Sequence, residues 1–194
     1  HEVDQTLLME VADHLGIAIS QFDYQEQLRV LSECDGLTKL LNRRTFMEHL
    51  AQRTYHPARN SVLFYIDLDN FKAVNDTHGH QRGDAAIKRV AEILQSCARK
   101  DDLAGRLGGD EFVLWMDGLS KSEAETMAAR LVAIGKELQD LSAGLETPLG
   151  VSVGVALQPT GKSLHAAALL EMADKAMYQA KHAGKSRWIL VEAG

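Results

Sequence analysis

Residues 106–116 read RLGGDEFVLWM: the end of a short strand, two glycines, two adjacent carboxylates and a second strand. Paired glycines permit a very tight reversal of the chain, and the apolar run after them must be buried. A hairpin therefore sets Asp110 and Glu111 at the mouth of a core strand. Outward from it, SVLFYIDLD (61–69) is a continuous β-branched and aromatic run, hence another buried strand, and NFKAVND (70–76) opens a helix directly after it. GDAAIKRVAEILQSCARK (83–100) has the periodicity of an amphipathic helix. The pattern continues with a helix from Ser122 to about Leu141, a strand LGVSVGVAL (149–157), a helix from Ser163 to about His182 and a strand RWILV (187–191). On the N-terminal side an Asp35-Gly36 turn precedes a helix from about Arg43. Such alternation predicts an α/β fold, a central sheet with a β-hairpin flanked by helices.

A chain of 194 residues with 45% apolar and 25% charged residues can bury a full core. Its formal charge of −6 argues against a binder of nucleic-acid backbones. The two cysteines, Cys34 and Cys97, lack metal-ligand spacing and the eight histidines form no ligand cluster, which fits a reducing, cytoplasmic setting. No apolar run reaches the length of a membrane span. Starting at His1 without an initiator methionine, the chain reads as a piece of something longer. Residues 1–32 differ in character: Leu8, Val11, Leu15, Ala18 and Phe22, then Leu28 and Leu31 after a phase break, form the stripe of one amphipathic helix. That helix either packs on its own domain or pairs with a second copy as a coiled coil. Gly16 weakens it by roughly 1 kcal/mol.

Carboxylates carry the chemistry. Asp67 and Asp69 end the 61–69 strand, read here as facing opposite sides of the sheet. If that strand neighbours the hairpin, Asp67 and Asp110 meet at one sheet edge and repel unless a cation lies between them. Two hard oxygen ligands suit Mg²⁺, which completes its shell with substrate phosphates. Singly, each acid reads as a solvated strand end; their joint occurrence with Gly108 and Gly109, which leave room for a ligand's close approach although any hairpin also favours glycine, weakens that reading.

RLGGDEF, together with DLDNFKAVNDTHGHQRGD (67–84), DGLTKLLNRR (35–44) and MADKAMYQAKHAGKSR (172–187), resembles the GGDEF domain of bacterial diguanylate cyclases, in order and over residues 33–194. The resemblance implies a nucleotide-cyclase, palm-like sheet and the condensation of two GTP into cyclic di-GMP. It places metal ligands (Mg²⁺ or Mn²⁺) on Asp67, the Leu68 carbonyl and Asp110, with Glu111 in a metal-side or proton-handling role. Substrate contacts fall on Leu68, Phe71, Lys72, Gly108, Gly109, Lys181 and Lys185, the last standing where the family often has arginine. Asn75 and Asp84 face the guanine, whose N1–H and N2–H₂ donors a carboxylate accepts and adenine does not present. His78 and His80 read as loop packing. Arg99 and Asp102 form an RxxD with five residues between Asp102 and Gly108, the spacing of the family's inhibitory product site.

One site holds one GTP and the product joins two, so the resemblance implies a homodimer. LLMEVADHLGIAISQFDYQEQL (7–28) resembles the last helix of a GAF sensor domain, implying an upstream sensor. A non-catalytic GTP or cyclic di-GMP receptor and a dimerising signalling module stay open as alternatives.

Overall fold

The computed structural model describes residues 32–54 and 58–194, together with residues 14, 15, 17, 19–22 and 24. Its elements run β1 (Leu41–Asn42), α1 (Arg43–Thr54), β2 (Ser61–Asp69), α2 (Phe71–His78), α3 (His80–Cys97), β3 (Leu103–Gly108), β4 (Glu111–Asp117), α4 (Lys121–Glu137), a 3₁₀ turn (Gln139–Ser142), β5 (Gly150–Gln158), α5 (Ala166–His182) and β6 (Trp188–Glu192). The six strands form one sheet in the order β1-β3-β4-β2-β5-β6. Central β2 is antiparallel to both β4 and β5, whereas β1 with β3 and β5 with β6 are parallel.

All nine residues of β2 are buried, as an unbroken apolar run in a central strand requires. Its even-numbered side chains, Val62, Phe64, Ile66 and Leu68, pack with Ile87, Val90 and Leu94 of α3 and Leu131 and Ile134 of α4. The odd-numbered Leu63 and Tyr65 join Val113 and Trp115 against Phe46 and Leu50 of α1 and Leu169, Ala173 and Met177 of α5. The result is a three-layer α/β sandwich. Since a strand has period two, Asp67 and Asp69 share the α5 face with Leu63 and Tyr65, which corrects the expectation that they point to opposite sides.

Element ends differ modestly from the sequence reading. The 83–100 segment already turns helical at His80 and stops at Cys97, and the helix expected to reach about Leu141 ends at Glu137 before the 3₁₀ turn. Ser120 starts α4 with a reciprocal capping box to Glu123, fixing its onset. The α5 helix begins at Ala166, three residues later than expected. His78 and His80 are exposed at the adjoining ends of α2 and α3 and do not pack a loop. Of the N-terminal stripe, Leu15 and Phe22 are helical and 58% and 69% exposed, while Leu8, Val11, Ala18, Leu28 and Leu31 lie outside the described residues. No helix among the described residues is long and apolar enough to cross a membrane.

Candidate active site

The hairpin between β3 and β4 brings the acidic residues to the C-terminal end of β2. Across the β2–β4 ladder Asp67 stands opposite Glu111, with Cα atoms about 5 Å apart in such a pair. Asp110 occupies the turn, where its carbonyl accepts the Leu68 N–H at 3.3 Å. So Asp67 faces Glu111 across the ladder, and Asp110 approaches from the turn. The turn itself needs its glycines: Gly108 and Gly109 have φ of 146° and 51°, and a Cβ on either would meet open space.

Arg106 braces this turn. Its Nε and Nη2 donate to the Gly109 carbonyl at 3.0 and 2.7 Å, and its Nη1 pairs with Asp35 Oδ1 at 3.0 Å. Asp35 also accepts from the Thr38 N–H and hydroxyl. Burial pushes the Asp35 carboxyl up, but the bonds from Thr38 and Arg106 together outweigh it and hold it below its ordinary value. Both partners lie inside quoted motifs, DGLT and RLGG, yet no local pattern reveals that they meet.

Asp67 is buried, at 6% exposure. Lys181 of α5 brings its Nζ to 2.6 Å from Asp67 Oδ1, outside hydrogen-bond angles, so the buried oxygen is ion-paired but has no hydrogen bond. Burial pushes the Asp67 ionisation up to about 6, the adjacent Lys181 ammonium pulls it the other way, and the charges of Asp110 and Glu111 add to the rise. Burial, helped by the two neighbouring carboxylates, thus outweighs the single lysine. Tyr65, two residues before Asp67 and on the same face of β2, lies near Glu111; burial, then the charges of Glu111 and Asp174, push its phenol well above its ordinary range. Among the described residues no three His, Cys, Asp or Glu side chains converge into a metal cage. An under-compensated buried oxygen beside two further carboxylates still fits a divalent cation that draws its other ligands from backbone, water and phosphate.

The other candidates fall in two places. Phe71, Asn75 and Gly83 meet where α2 packs on α3: a Cβ on Gly83 would lie 2.0 Å from Asn75 Oδ1 and 3.1 Å from Phe71 Cζ. Asn75 Oδ1 is buried without a partner, and Asp84, the next residue on α3, is exposed. If Asn75 contacts the guanine as the resemblance implies, Gly83→Ala is expected to lower GTP affinity about 10-fold or more by displacing it, although alanine favours helix by roughly 1 kcal/mol. Calorimetry alongside a thermal melt separates the two effects, and unchanged affinity would contradict the placement. At the start of α2, Lys185 Nζ donates to Asn70 Oδ1 at 2.7 Å, whereas Lys72 pairs with Asp76 on the exposed side of that helix.

Arg99 and Asp102 lie elsewhere, at the start of β3, a strand length of about 17 Å from Gly108. The Arg99 N–H donates to Asp102 Oδ2 at 2.7 Å and the Asp102 N–H to the Arg99 carbonyl, closing the RxxD into a turn with the Arg99 side chain exposed. Arg53 of α1 reaches the Asp101 carbonyl while its guanidinium stacks 5.0 Å from the Trp115 ring, anchoring this turn to the sheet.

A family model described as "Diguanylate cyclase, GGDEF domain" matches residues 32–187. The chain belongs to the GGDEF family. Among GGDEF relatives, it is 38% identical over 169 residues to the probable diguanylate cyclase DgcC of Escherichia coli, covering 85% of this chain and 45% of that protein. It is 37% identical to the cyclic di-GMP phosphodiesterase PdeR of the same organism, over 84% of this chain and 25% of that one. The chain thus spans less than half of these relatives. A crystal structure of the coiled coil and GGDEF domain of DgcB from Caulobacter crescentus, in complex with c-di-GMP, superposes with a TM-score of 0.77 at 27% identity, covering 96% of this chain and 99% of that one. The GGDEF fold expected from sequence, a mixed sheet with its hairpin and flanking helices, is the fold observed.

Proposed function

We propose that residues 33–194 form a diguanylate cyclase half-site that condenses GTP into cyclic di-GMP, two copies acting together. The observation that carries this reading is the buried Asp67 at the end of β2, with Asp110 and Glu111 brought beside it by an intact glycine hairpin. Asp67, the Leu68 carbonyl, Asp110 and Glu111 would hold a divalent cation (Mg²⁺ or Mn²⁺), which when bound would supply charge neutralisation at the α-phosphate and a more acidic attacking hydroxyl.

The chain's own residues bind and orient. Lys181, Lys185 and the free N–H groups at the start of α2, beside Phe71 and Lys72, receive the terminal phosphates. Gly108 and Gly109 leave room for the α-phosphate and ribose. Asn75 and Asp84 accept from the guanine edge. Each 3′-oxygen bonds to the opposing α-phosphorus as the bond to pyrophosphate breaks, and its proton passes to the carboxylate cluster. Because each copy supplies one GTP, residues 1–32 serve as a coiled coil that raises the effective concentration of the partner site and joins it to an upstream sensor. Exposed apolar Leu15, Ile19 and Phe22 support that role.

Incubation with GTP and Mg²⁺ followed by chromatography tests the reading. Cyclic di-GMP should form from GTP, not from ATP, and stop on chelation. A folded chain that binds cyclic di-GMP and leaves GTP intact is a receptor instead.

Arg99 and Asp102 fit the product as an inhibitory site, the exposed guanidinium offering a planar fork to phosphate or to guanine N7 and O6. Cyclic di-GMP is expected to inhibit non-competitively with GTP, and Arg99→Ala to relieve that inhibition without lowering the initial rate. Inhibition curves for the two proteins decide it; equal sensitivity would reject the assignment.

A further inference from the structure

Asp69 is a buried carboxylate that the proposed reaction does not use. It ends β2 two residues beyond Asp67 and is 1% exposed. Its oxygens are met by neutral donors: the Ser152 hydroxyl at 2.8 and 3.0 Å from β5, and the Ser186 N–H at 2.9 Å from the turn after α5. The packing around it is close. Gly150 pairs with Asp69 across the β2–β5 ladder, and a Cβ there would come within 3.0 Å of Asp69 Oδ2 and 2.2 Å of Ser186 Oγ. Only a glycine lets the turn descend onto the carboxylate.

That turn has an unfavourable backbone. Lys185 and Ser186 both adopt left-handed conformations, with φ of 62° and 47°, directly after Gly184 at 117°. Two consecutive side-chain-bearing residues in this region persist only where the surroundings hold them. The Lys185 N–H donates to the Ala180 carbonyl at the end of α5, and the Ser186 N–H is held by Asp69. The consequence is the position of Lys185. Its Nζ reaches Asn70 Oδ1 at 2.7 Å, and Asn70 is tied by its own amide to the Pro148 carbonyl at 2.9 Å. Asn70 precedes α2 without capping it through its side chain. A cation and uncapped helix N–H groups therefore stand side by side, where a polyphosphate tail is met by both.

We propose that Asp69 is a positioning residue: its carboxylate holds the Lys185–Ser186 turn in its left-handed form and so presents Lys185 to the terminal phosphates of the nucleotide. The inference rests on the GTP-binding reading above, and it assigns Asp69 an effect on the phosphate tail alone. An asparagine can keep the essential bond, its amide oxygen accepting from Ser186 while the Ser152 hydroxyl turns to accept from its NH₂. An alanine cannot.

Calorimetry with 3′-deoxy-GTP, which binds but cannot condense, tests this, with GMP as the ligand lacking the tail. Asp69→Ala is expected to weaken 3′-deoxy-GTP about 10-fold and GMP hardly at all, Asp69→Asn to restore most of the loss, and Asp69→Ala to add nothing in a Lys185→Ala background. Gly150→Ala, which leaves the carboxylate in place but drives a Cβ into Ser186, should give the same selective loss and serves if Asp69→Ala does not fold. Equal losses for both ligands, an additive effect with Lys185→Ala, or unchanged 3′-deoxy-GTP binding by the folded variants would overturn the inference. A wild-type chain that binds no 3′-deoxy-GTP would overturn the GTP-binding reading instead, and this inference with it.

Discussion

Asp110→Asn is expected to cut cyclic di-GMP formation by on the order of 10²–10³-fold or more, with circular dichroism and melting temperature unchanged. Asp110 lies in a two-residue turn, and what the turn contributes to the fold is its carbonyl, accepting from Leu68, which the substitution keeps. What is lost is charge beside Asp67. Asp67→Asn should be equally damaging to activity but, unlike Asp110→Asn, should also change stability. Its carboxyl ionises near 6 in the folded chain, above its ordinary 3.8. A raised folded-state value means that the contribution of this group to stability is present below about pH 4 and is lost as pH rises through 6. Asparagine removes that loss, so the metal-free variant should melt higher than wild type at pH 8 and converge with it at pH 4. Asp67→Asn melting lower than wild type at pH 8 would mean that Lys181 satisfies the carboxylate and that no cation is wanted there. A folded Asp110→Asn variant with normal turnover would remove Asp110 from the metal cluster.

The second large effect concerns the base. Asp84→Ser should weaken GTP by about 10- to 10²-fold, since a hydrogen bond to a charged group is worth about 1.5–3 kcal/mol. ATP, which offers no N1–H or N2–H₂ donors, should bind the variant no worse than wild type, so the preference between the two narrows. Competition of each nucleotide against a fluorescent guanine analogue measures this directly. Unchanged discrimination would show that guanine is read elsewhere than at Asp84.

Much of the architecture was legible because burial leaves a local trace. SVLFYIDLD is apolar on both faces because β2 lies in the middle of the sheet between two helical layers, and the paired glycines of RLGGDEF mark a reversal whatever follows it. The functional acids were legible as types but not as partners. Pairing Asp67 with Glu111 depends on the length of the turn and on the irregular register between Arg106 and Gly108, which residue identities do not specify. Lys181 reaches Asp67 only because α5 crosses back over the sheet from the far end of the chain. Arg106 with Asp35, and Asp69 with Ser152 and Ser186, are likewise contacts between distant segments, invisible to any window of the sequence. The facing of Asp69, by contrast, follows from strand periodicity alone, which puts it on the side of Asp67.

The most direct test of the account follows pyrophosphate and cyclic di-GMP in one GTP reaction across a range of protein concentrations. If two half-sites each activate one GTP, two pyrophosphates appear for every cyclic di-GMP, and the rate per mole of protein rises with concentration until the dimer saturates. GTP left intact by folded protein at every concentration, or consumed to GDP and phosphate without cyclic product, would contradict it.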